Sequence, residues 1–199
     1  MKESELLKSL RASSDAKRIL YDFDFTPVAS LTPSHLFRFR DATSYEPIGA
    51  DAAGGEFVLC ESRTLPTRPL LYASSEGQAG IIAQSLHDGL SIIIDLPYWQ
   101  DCLKFSGNGQ LAEMRRVVPL AESDLLADRP QTASCRQVLR TLLGLSQLSD
   151  PVLALYTAVT ELSPHYGVCA QEGWPFEPLF NKFTVKSNPQ WRRRLELQS

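Results

Sequence analysis

A glycine-rich turn that leads directly into a β-prone run restricts the folds open to this chain more than any other feature of the sequence. The stretch IGADAAGGEFVLCES, residues 48–62, contains a Gly-x-Asp-x-x-Gly-Gly pattern that ends at Gly55. A phosphate-binding loop needs a strand before its glycines and a helix after them, so that backbone N–H groups converge on the anion. Here the glycines lead into Glu56–Cys60, whose residue types favour a strand. The pattern therefore predicts a tight turn between strands and no nucleotide site.

The polar and glycine residues of this turn have separate expected roles. Gly49, Gly54 and Gly55 are predicted to be structural, and Gly54 and Gly55 can adopt positive φ angles that other residues disfavour. Asp51 is expected to accept hydrogen bonds from nearby backbone N–H groups in an Asx-turn. The turn as a whole is thus predicted to set the path of the chain.

Three short segments are predicted to be strands, namely residues 35–40, 56–62 and 70–73. All three precede the long helix that is predicted next. Residues 76–96 carry apolar side chains three and four positions apart, which predicts one long amphipathic helix with Ser75 as its N-cap. Another helix is expected at residues 3–21. The order of these elements predicts an α+β fold with a central antiparallel sheet and helices packed around it.

The length and composition are those of one globular domain. The chain has 199 residues, of which 43% are hydrophobic and 22% are charged. The dipeptide Arg129-Pro130 is the best candidate boundary, because mostly helical patterns follow it. We expect residues 1–128 to form the α+β domain and residues 129–199 to form a helical C-terminal extension packed on the same domain.

Charge and cysteine spacing disfavour several classes of partner. The net charge of −3 gives no general attraction to nucleic acid or to an anionic membrane. The longest apolar run, residues 90–96, is too short to span a bilayer, and the first residues lack the apolar core of a signal peptide. The four cysteines are too far apart for a zinc ribbon or a thioredoxin-like motif. The prediction is a cytoplasmic protein that needs no metal or cofactor.

A small enzyme remains the alternative to a binding protein. The histidines are His35, His87 and His165, and no two of them have the spacing of a helical metal site. A hydrolase would have to combine one of these histidines with carboxylates from distant parts of the chain. No catalytic residue is predicted, and a hydrolase with scattered carboxylates and a histidine is kept as the second hypothesis.

Asp51, Glu56, Tyr98 and Trp99 are the candidate residues for a partner surface. The acidic residues near the turn form either a solvated rim or a surface that attracts a basic partner. Tyr98 and Trp99, in the stretch LPYWQD, are candidate interface hot spots, and the alternative is that Trp99 fills the core at the end of the predicted helix. Both alternatives stay open for both groups.

Taken together, PIGADAAGGEFVLC and PLLYASSEGQAGIIAQSLHDGLSIII resemble the SUKH superfamily, which includes a yeast cell-wall-synthesis regulator and many bacterial immunity proteins. The resemblance covers residues 36–105 and consists of the glycine turn, an apolar strand, a second short strand and an amphipathic helix. It implies a single α+β domain that acts by binding a protein, often a toxin domain delivered by a competing cell. It also implies that the turn from Gly49 to Gly55 is an architectural mark.

Overall fold

The computed structural model describes residues 1–28, 34–62 and 65–197. The strands in these ranges are β1 (Thr26–Pro27), β2 (Arg38–Phe39), β3 (Tyr45–Ala50), β4 (Glu56–Cys60), β5 (Leu70–Ala73), β6 (Ala79–Ala83) and β7 (Val168–Cys169). The α-helices are α1 (Glu3–Ala12), α2 (Ser14–Tyr21), α3 (Leu86–Asp95), α4 (Trp99–Lys104), α5 (Leu111–Asp128), α6 (Thr132–Leu143), α7 (Pro151–Thr157) and α8 (Pro189–Leu197). A π-helical segment (Ala158–Leu162) and a 3-10 turn (Ser163–His165) continue α7, and a second 3-10 turn spans Val185–Ser187.

Five strands form one antiparallel sheet in the order β1-β3-β4-β5-β6, and β2 pairs with β7 in a separate two-stranded sheet. Strands β3 to β6 follow one another as a meander, because each is joined to the next by a short connection. This sheet and the helices around it confirm the predicted α+β class.

Strands β4 and β5 are buried on both faces, which explains their continuous apolar sequence. Phe57 and Leu59 of β4 belong to the larger hydrophobic cluster, which the helices share. Val58 and Cys60 alternate with them and belong to a second cluster, together with Phe37 before β2 and other residues. The sheet therefore forms the middle layer of the molecule.

The region after Arg129 is tied to the rest of the fold by partly buried polar contacts. Arg136 of α6 donates to both carboxylate oxygens of Glu122, at 2.6 and 2.7 Å, and to the carbonyl of Ile94 at 3.1 Å. Arg140, also of α6, pairs with Asp95 at the end of α3. This region is not entirely helical, because it also supplies β7.

The same region covers β6, the edge strand of the main sheet. The hydroxyl of Ser163 accepts a hydrogen bond from the Ile81 N–H at 2.8 Å, and the Ala79 N–H donates to the carbonyl of Glu177 at 2.9 Å. An edge strand otherwise presents free backbone groups to solvent. Side-chain and main-chain atoms from later in the chain satisfy them here.

The predicted helix over residues 76–96 is wrong in its first half. The chain turns at Gly77, which has a φ of +83°, and then forms β6 before α3 begins. The N-cap of α3 is Ser85, whose side chain accepts from the Asp88 N–H at 3.1 Å, and not Ser75. The apolar residues of β6 imitate helical spacing because both of its faces are buried, with Ile82 in one cluster and Ile81 in the other.

The other element boundaries differ in smaller ways. The first predicted helix is divided at Ser13, which ends α1 and caps α2 by accepting from the Ala16 N–H at 3.1 Å. Of the predicted strand at residues 35–40, only β2 is extended, and it pairs with β7 and not with the main sheet. Strand β3 was not expected, because Pro47 and Gly49 are unfavourable in strands; a register shift lies between these two residues.

Candidate functional site

The turn between β3 and β4 encloses the carboxylate of Asp51. The Oδ1 atom accepts from the backbone N–H groups of Gly55 at 2.7 Å and Ala53 at 3.0 Å, which is the expected Asx-type contact. The main chain closes the turn as well, since the Asp51 N–H donates to the Gly55 carbonyl at 3.0 Å. Asp51 is only 8% exposed, so its side chain points into the protein.

The three glycines of the turn are required for different physical reasons. Gly54 uses this freedom, with a φ of +89°, whereas Gly55 does not adopt a positive φ. A Cβ atom at Gly55 would lie 2.6 Å from Asp51 Oδ2 and 2.7 Å from the Tyr72 hydroxyl, so this glycine provides space. A Cβ atom at Gly49 would lie 2.5 Å from the ring of Phe25, which makes Gly49 a packing position.

A tyrosine and a glutamine complete the hydrogen bonding of Asp51. The hydroxyl of Tyr72, on β5, donates to Asp51 Oδ2 at 2.6 Å. The Nε2 atom of Gln100, on α4, donates to the Tyr72 hydroxyl at 3.1 Å and lies 3.4 Å from Asp51 Oδ2. Burial, followed by the hydrogen bond to Asp51, raises the pKa of the Tyr72 phenol. These contacts join the turn to β5 and to α4.

Aromatic rings surround this network. The rings of Tyr72 and Trp99 meet edge to face with centroids 4.9 Å apart, and Phe57 lies 5.0 Å from Tyr72. Asp51, Tyr72 and Trp99 line one side of a cavity of about 310 Å³, which Lys104 also lines. Because four protein groups already surround the carboxylate of Asp51, it is a poor candidate for a general base.

The predicted partner residues are not gathered on an exposed rim. Asp51 and Trp99 line the same cavity, but they are 8% and 2% exposed. Tyr98 is 9% exposed, and burial together with Glu122 raises the pKa of its phenol. Glu56 is half-buried at the start of β4. The core alternative for Trp99 agrees with its position, and Tyr98 is buried as well.

The histidines lie apart from the Asp51 cavity. His35 is exposed, and His87 has its Nδ1 atom 3.4 Å from the carboxylate of Asp88. His165 lines a second cavity of about 400 Å³ together with Asp41 and Glu61. This second cavity is the place where the described residues bring a histidine and carboxylates from distant segments together.

An exposed tryptophan lies in a hairpin that the sequence patterns did not single out. Residues 168–176 double back on themselves, with the Phe176 N–H donating to the Val168 carbonyl at 3.1 Å. At the tip, the Ala170 N–H donates to the Trp174 carbonyl at 2.8 Å, and Gly173 has a φ of +97°. Trp174 is 75% exposed. The only signal for it in the sequence is the turn-forming glycine that precedes Trp-Pro.

The tip of this hairpin is fixed to residues 34–38. The side-chain amide of Gln171 donates to the carbonyls of Ser34 and Phe37 at 3.1 and 3.0 Å. The Nε atom of Arg38 lies 3.4 Å from the Gln171 carbonyl. Residues 168–176 therefore hold Trp174 on an ordered support. We call this segment the Trp174 hairpin.

Neither a metal-binding cluster nor a membrane-crossing helix occurs in the part of the chain that the structure describes. In residues 1–28, 34–62 and 65–197, no three or more histidine, cysteine or acidic side chains are grouped so that they could hold a metal ion. Within the same ranges, no helix has both the length and the apolar character that crossing a bilayer requires.

Comparison with known proteins identifies no relative. No family model matches the chain, and neither a curated protein nor a solved structure gives a significant match.

Proposed function

We propose that this chain is a non-catalytic, cytoplasmic protein-binding module of the immunity type, which neutralises a toxin domain by covering it. The sequence resemblance to the SUKH superfamily motivates this class of function. The Trp174 hairpin replaces Tyr98 and Trp99 as the centre of the proposed partner surface, because those two side chains are buried.

The observation that carries the proposal is the exposure of Trp174 on an ordered hairpin. Trp99 and Trp191 are 2% and 3% exposed, whereas Trp174 is 75% exposed. Placing so large an apolar side chain in water is unfavourable by roughly 2 kcal/mol relative to burying it. Tryptophan is also among the residues most enriched at interface hot spots, and a fixed hairpin lowers the entropy lost on binding.

The acidic residues near the hairpin favour a basic partner. Glu172 lies within the tip, and Glu177 follows directly after the hairpin; both are exposed. Carboxylates at the rim of an interface speed association with a positively charged surface, and salt screens the effect. The expected arrangement is a central tryptophan that loses its water and acidic neighbours that remain partly solvated.

Growth rescue tests this function. Toxin candidates encoded beside the gene for this chain would be expressed with and without it, and the cognate toxin should be neutralised by the wild-type chain. Trp174→Ala should weaken binding to that toxin by roughly 30-fold, because truncating a hot spot typically costs about 2 kcal/mol.

Tyr21→Ala is the matched control, since Tyr21 is also an exposed aromatic residue, at 67%, but lies on α2. It should rescue as the wild type does. Failure of the wild-type chain to bind or rescue against any of these toxins would overturn the immunity proposal. Full rescue and unchanged affinity with Trp174→Ala would instead remove the hairpin from the partner surface.

A small hydrolase is the second candidate, and the cavity that contains His165 favours it. His165, Asp41 and Glu61 line this space together with serine and threonine residues, which is a set of groups suited to proton transfer. The test is turnover of simple nitrophenyl esters and phosphates by the wild type and by His165→Gln. His35→Gln is the control, because His35 is also exposed and lies outside that cavity. Turnover that disappears only in His165→Gln would establish the enzyme.

A further inference from the structure

A groove lined by apolar side chains lies between the π-helical segment and the β2–β7 sheet, and it has a volume of about 320 Å³. This volume is at the lower end of the range for small-molecule sites. Its apolar side chains come from four segments of the chain and include Val159, Tyr166, Val168, Phe176, Leu179 and Phe180. Neither Trp174, the centre of the proposed toxin-binding surface, nor His165 lines this groove.

The walls of the groove are ordered by contacts behind them. Val168 and Leu179 are 7% and 6% exposed, so they form a floor that belongs to the core. The ring of Phe180 packs against Tyr156 with centroids 6.0 Å apart. Val159 comes from the π-helical segment, and such segments are frequent at functional sites.

Arg40 supplies the charge of the groove. Among the described residues that line it, Arg40 is the only one with a charged side chain. The Arg40 N–H donates to the Gly167 carbonyl at 2.9 Å, which continues the β2–β7 pairing by one residue and fixes the backbone. A Cβ atom at Gly167 would lie 3.2 Å from Arg40 Cδ, so the arginine stem runs close along the Gly167 backbone.

The polar groups at the groove differ in whether they already have hydrogen-bond partners within the protein. The hydroxyl of Ser163 is bonded to the Ile81 N–H at 2.8 Å, and the Tyr166 hydroxyl lies 3.5 Å from the Glu61 carbonyl. The guanidinium of Arg40 makes no ion pair or side-chain hydrogen bond with any residue that the structure describes. An arginine at the edge of an apolar groove is suited to bind a carboxylate through two parallel hydrogen bonds.

We propose that this groove binds a small carboxylic acid with an apolar body, with the apolar part on Val168, Leu179 and Phe180 and the carboxylate on Arg40. Binding removes the apolar lining from water, which lowers the free energy of the complex. The single unpaired cation selects an anion over a neutral or cationic molecule of the same shape.

Octanoate is the probe, with 1-octanol and octyltrimethylammonium as neutral and cationic molecules with the same eight-carbon chain. Binding to the wild-type chain would be followed by chemical-shift changes in NMR spectra. We expect saturable octanoate binding with shifts centred on Tyr166, Val168 and Phe180. Octanol should bind about five- to tenfold more weakly than octanoate, because it lacks the charge-assisted contact.

Arg40→Gln should reduce octanoate affinity to that of octanol, while leaving octanol affinity unchanged. Arg193→Gln is the matched control, since Arg193 is an exposed arginine on α8 that does not line the groove. It should change octanoate affinity by less than about twofold, because a surface charge outside the site is screened. Equal affinity for octanoate and octanol, equal loss in both arginine variants, or the absence of saturable binding would each overturn the proposal.

Discussion

The turn at residues 51–55 and the turn at residues 170–174 are both short connections that contain glycine. They differ in the kind of side chain that they expose to solvent. In the first, Asp51 is 8% exposed and its carboxylate is held by backbone N–H groups, Tyr72 and Gln100. In the second, Trp174 is 75% exposed although the backbone around it is hydrogen-bonded. A polar residue is thus internal and an apolar residue external.

The chemical character of a turn residue therefore does not determine its role. An acid can be buried when its oxygens accept hydrogen bonds, which offset part of the cost of removing it from water, whereas a bulky apolar side chain left in water has no such compensation. The first turn is therefore a structural joint between strands, and the second is the better candidate for contact with a partner. Variants at Asp51, Gly55 and Tyr72 test the first turn, and a variant at Trp174 tests the second.

Asp51→Ala should produce the largest loss of stability. It removes the acceptor of Gly55, Ala53 and Tyr72 at once and leaves the buried donors of Gly55 and Tyr72 unsatisfied in the interior. We expect the free energy of unfolding to fall by about 3 kcal/mol or more. Urea denaturation monitored by circular dichroism measures it, and a loss below about 0.5 kcal/mol would show that the network is not a structural joint.

Gly55→Ala should have the next largest effect. Its Cβ atom would lie 2.6 Å from Asp51 Oδ2 and 2.7 Å from the Tyr72 hydroxyl, so the network must open to admit it. We expect a loss of about 2 kcal/mol. Gly54→Ala and Gly173→Ala are paired controls with positive φ but no contact below 3.4 Å, and each should lose about 1 kcal/mol. Equal losses in all three variants would remove the steric argument for Gly55.

Tyr72→Phe should cost about 1 kcal/mol at neutral pH, and this cost should shrink in alkaline solution. The pKa of Tyr72 is raised in the fold above its ordinary value of 10.0. The protonated phenol therefore stabilises the fold fully below about pH 10, and this contribution is lost as the pH rises further.

The stability difference between wild type and Tyr72→Phe should decrease by about 1.4 kcal/mol per pH unit above about pH 10. Urea denaturation of both chains at several alkaline pH values gives this slope. A constant difference over that interval would mean that the Tyr72 phenol ionises equally in the folded and unfolded states.

Trp174→Ala should have the smallest effect on stability, within about 0.5 kcal/mol, because little of its surface is buried in the fold. Its exposure has an independent readout in the quenching of tryptophan fluorescence by acrylamide. Most of the quenchable emission should disappear in this variant, since Trp99 and Trp191 are 2% and 3% exposed. A strongly quenched emission that survives the substitution would contradict the described exposure.

The sequence was sufficient to predict the α+β class, strands β4 and β5 and the joint at Asp51, because local residue types determine these features. It was not sufficient for β6, since burial on both faces removes the alternation that distinguishes a strand from a helix. Strand β3 was missed because tertiary pairing overrides the local preference of Pro47 and Gly49.

The exposed tryptophan was missed for another reason. Trp99, Trp174 and Trp191 each have a proline within two residues in the sequence, so the local pattern does not separate them. The Nε1 atom of Trp191 finds a partner in Asp124 at 2.7 Å, and Trp99 packs on Tyr72. Only the path of residues 168–176 leaves Trp174 without such cover, and that path depends on contacts with residues more than a hundred positions earlier.

The cover that Ser163 and Glu177 provide for β6 has a consequence for attempts to shorten the chain. A fragment that ends at residue 128 would retain every strand of the main sheet but would lose the groups that bond Ala79 and Ile81. Two such fragments could join through their bare β6 strands, which is how edge-to-edge aggregation begins. By covering β6, the C-terminal third of the chain prevents this self-association.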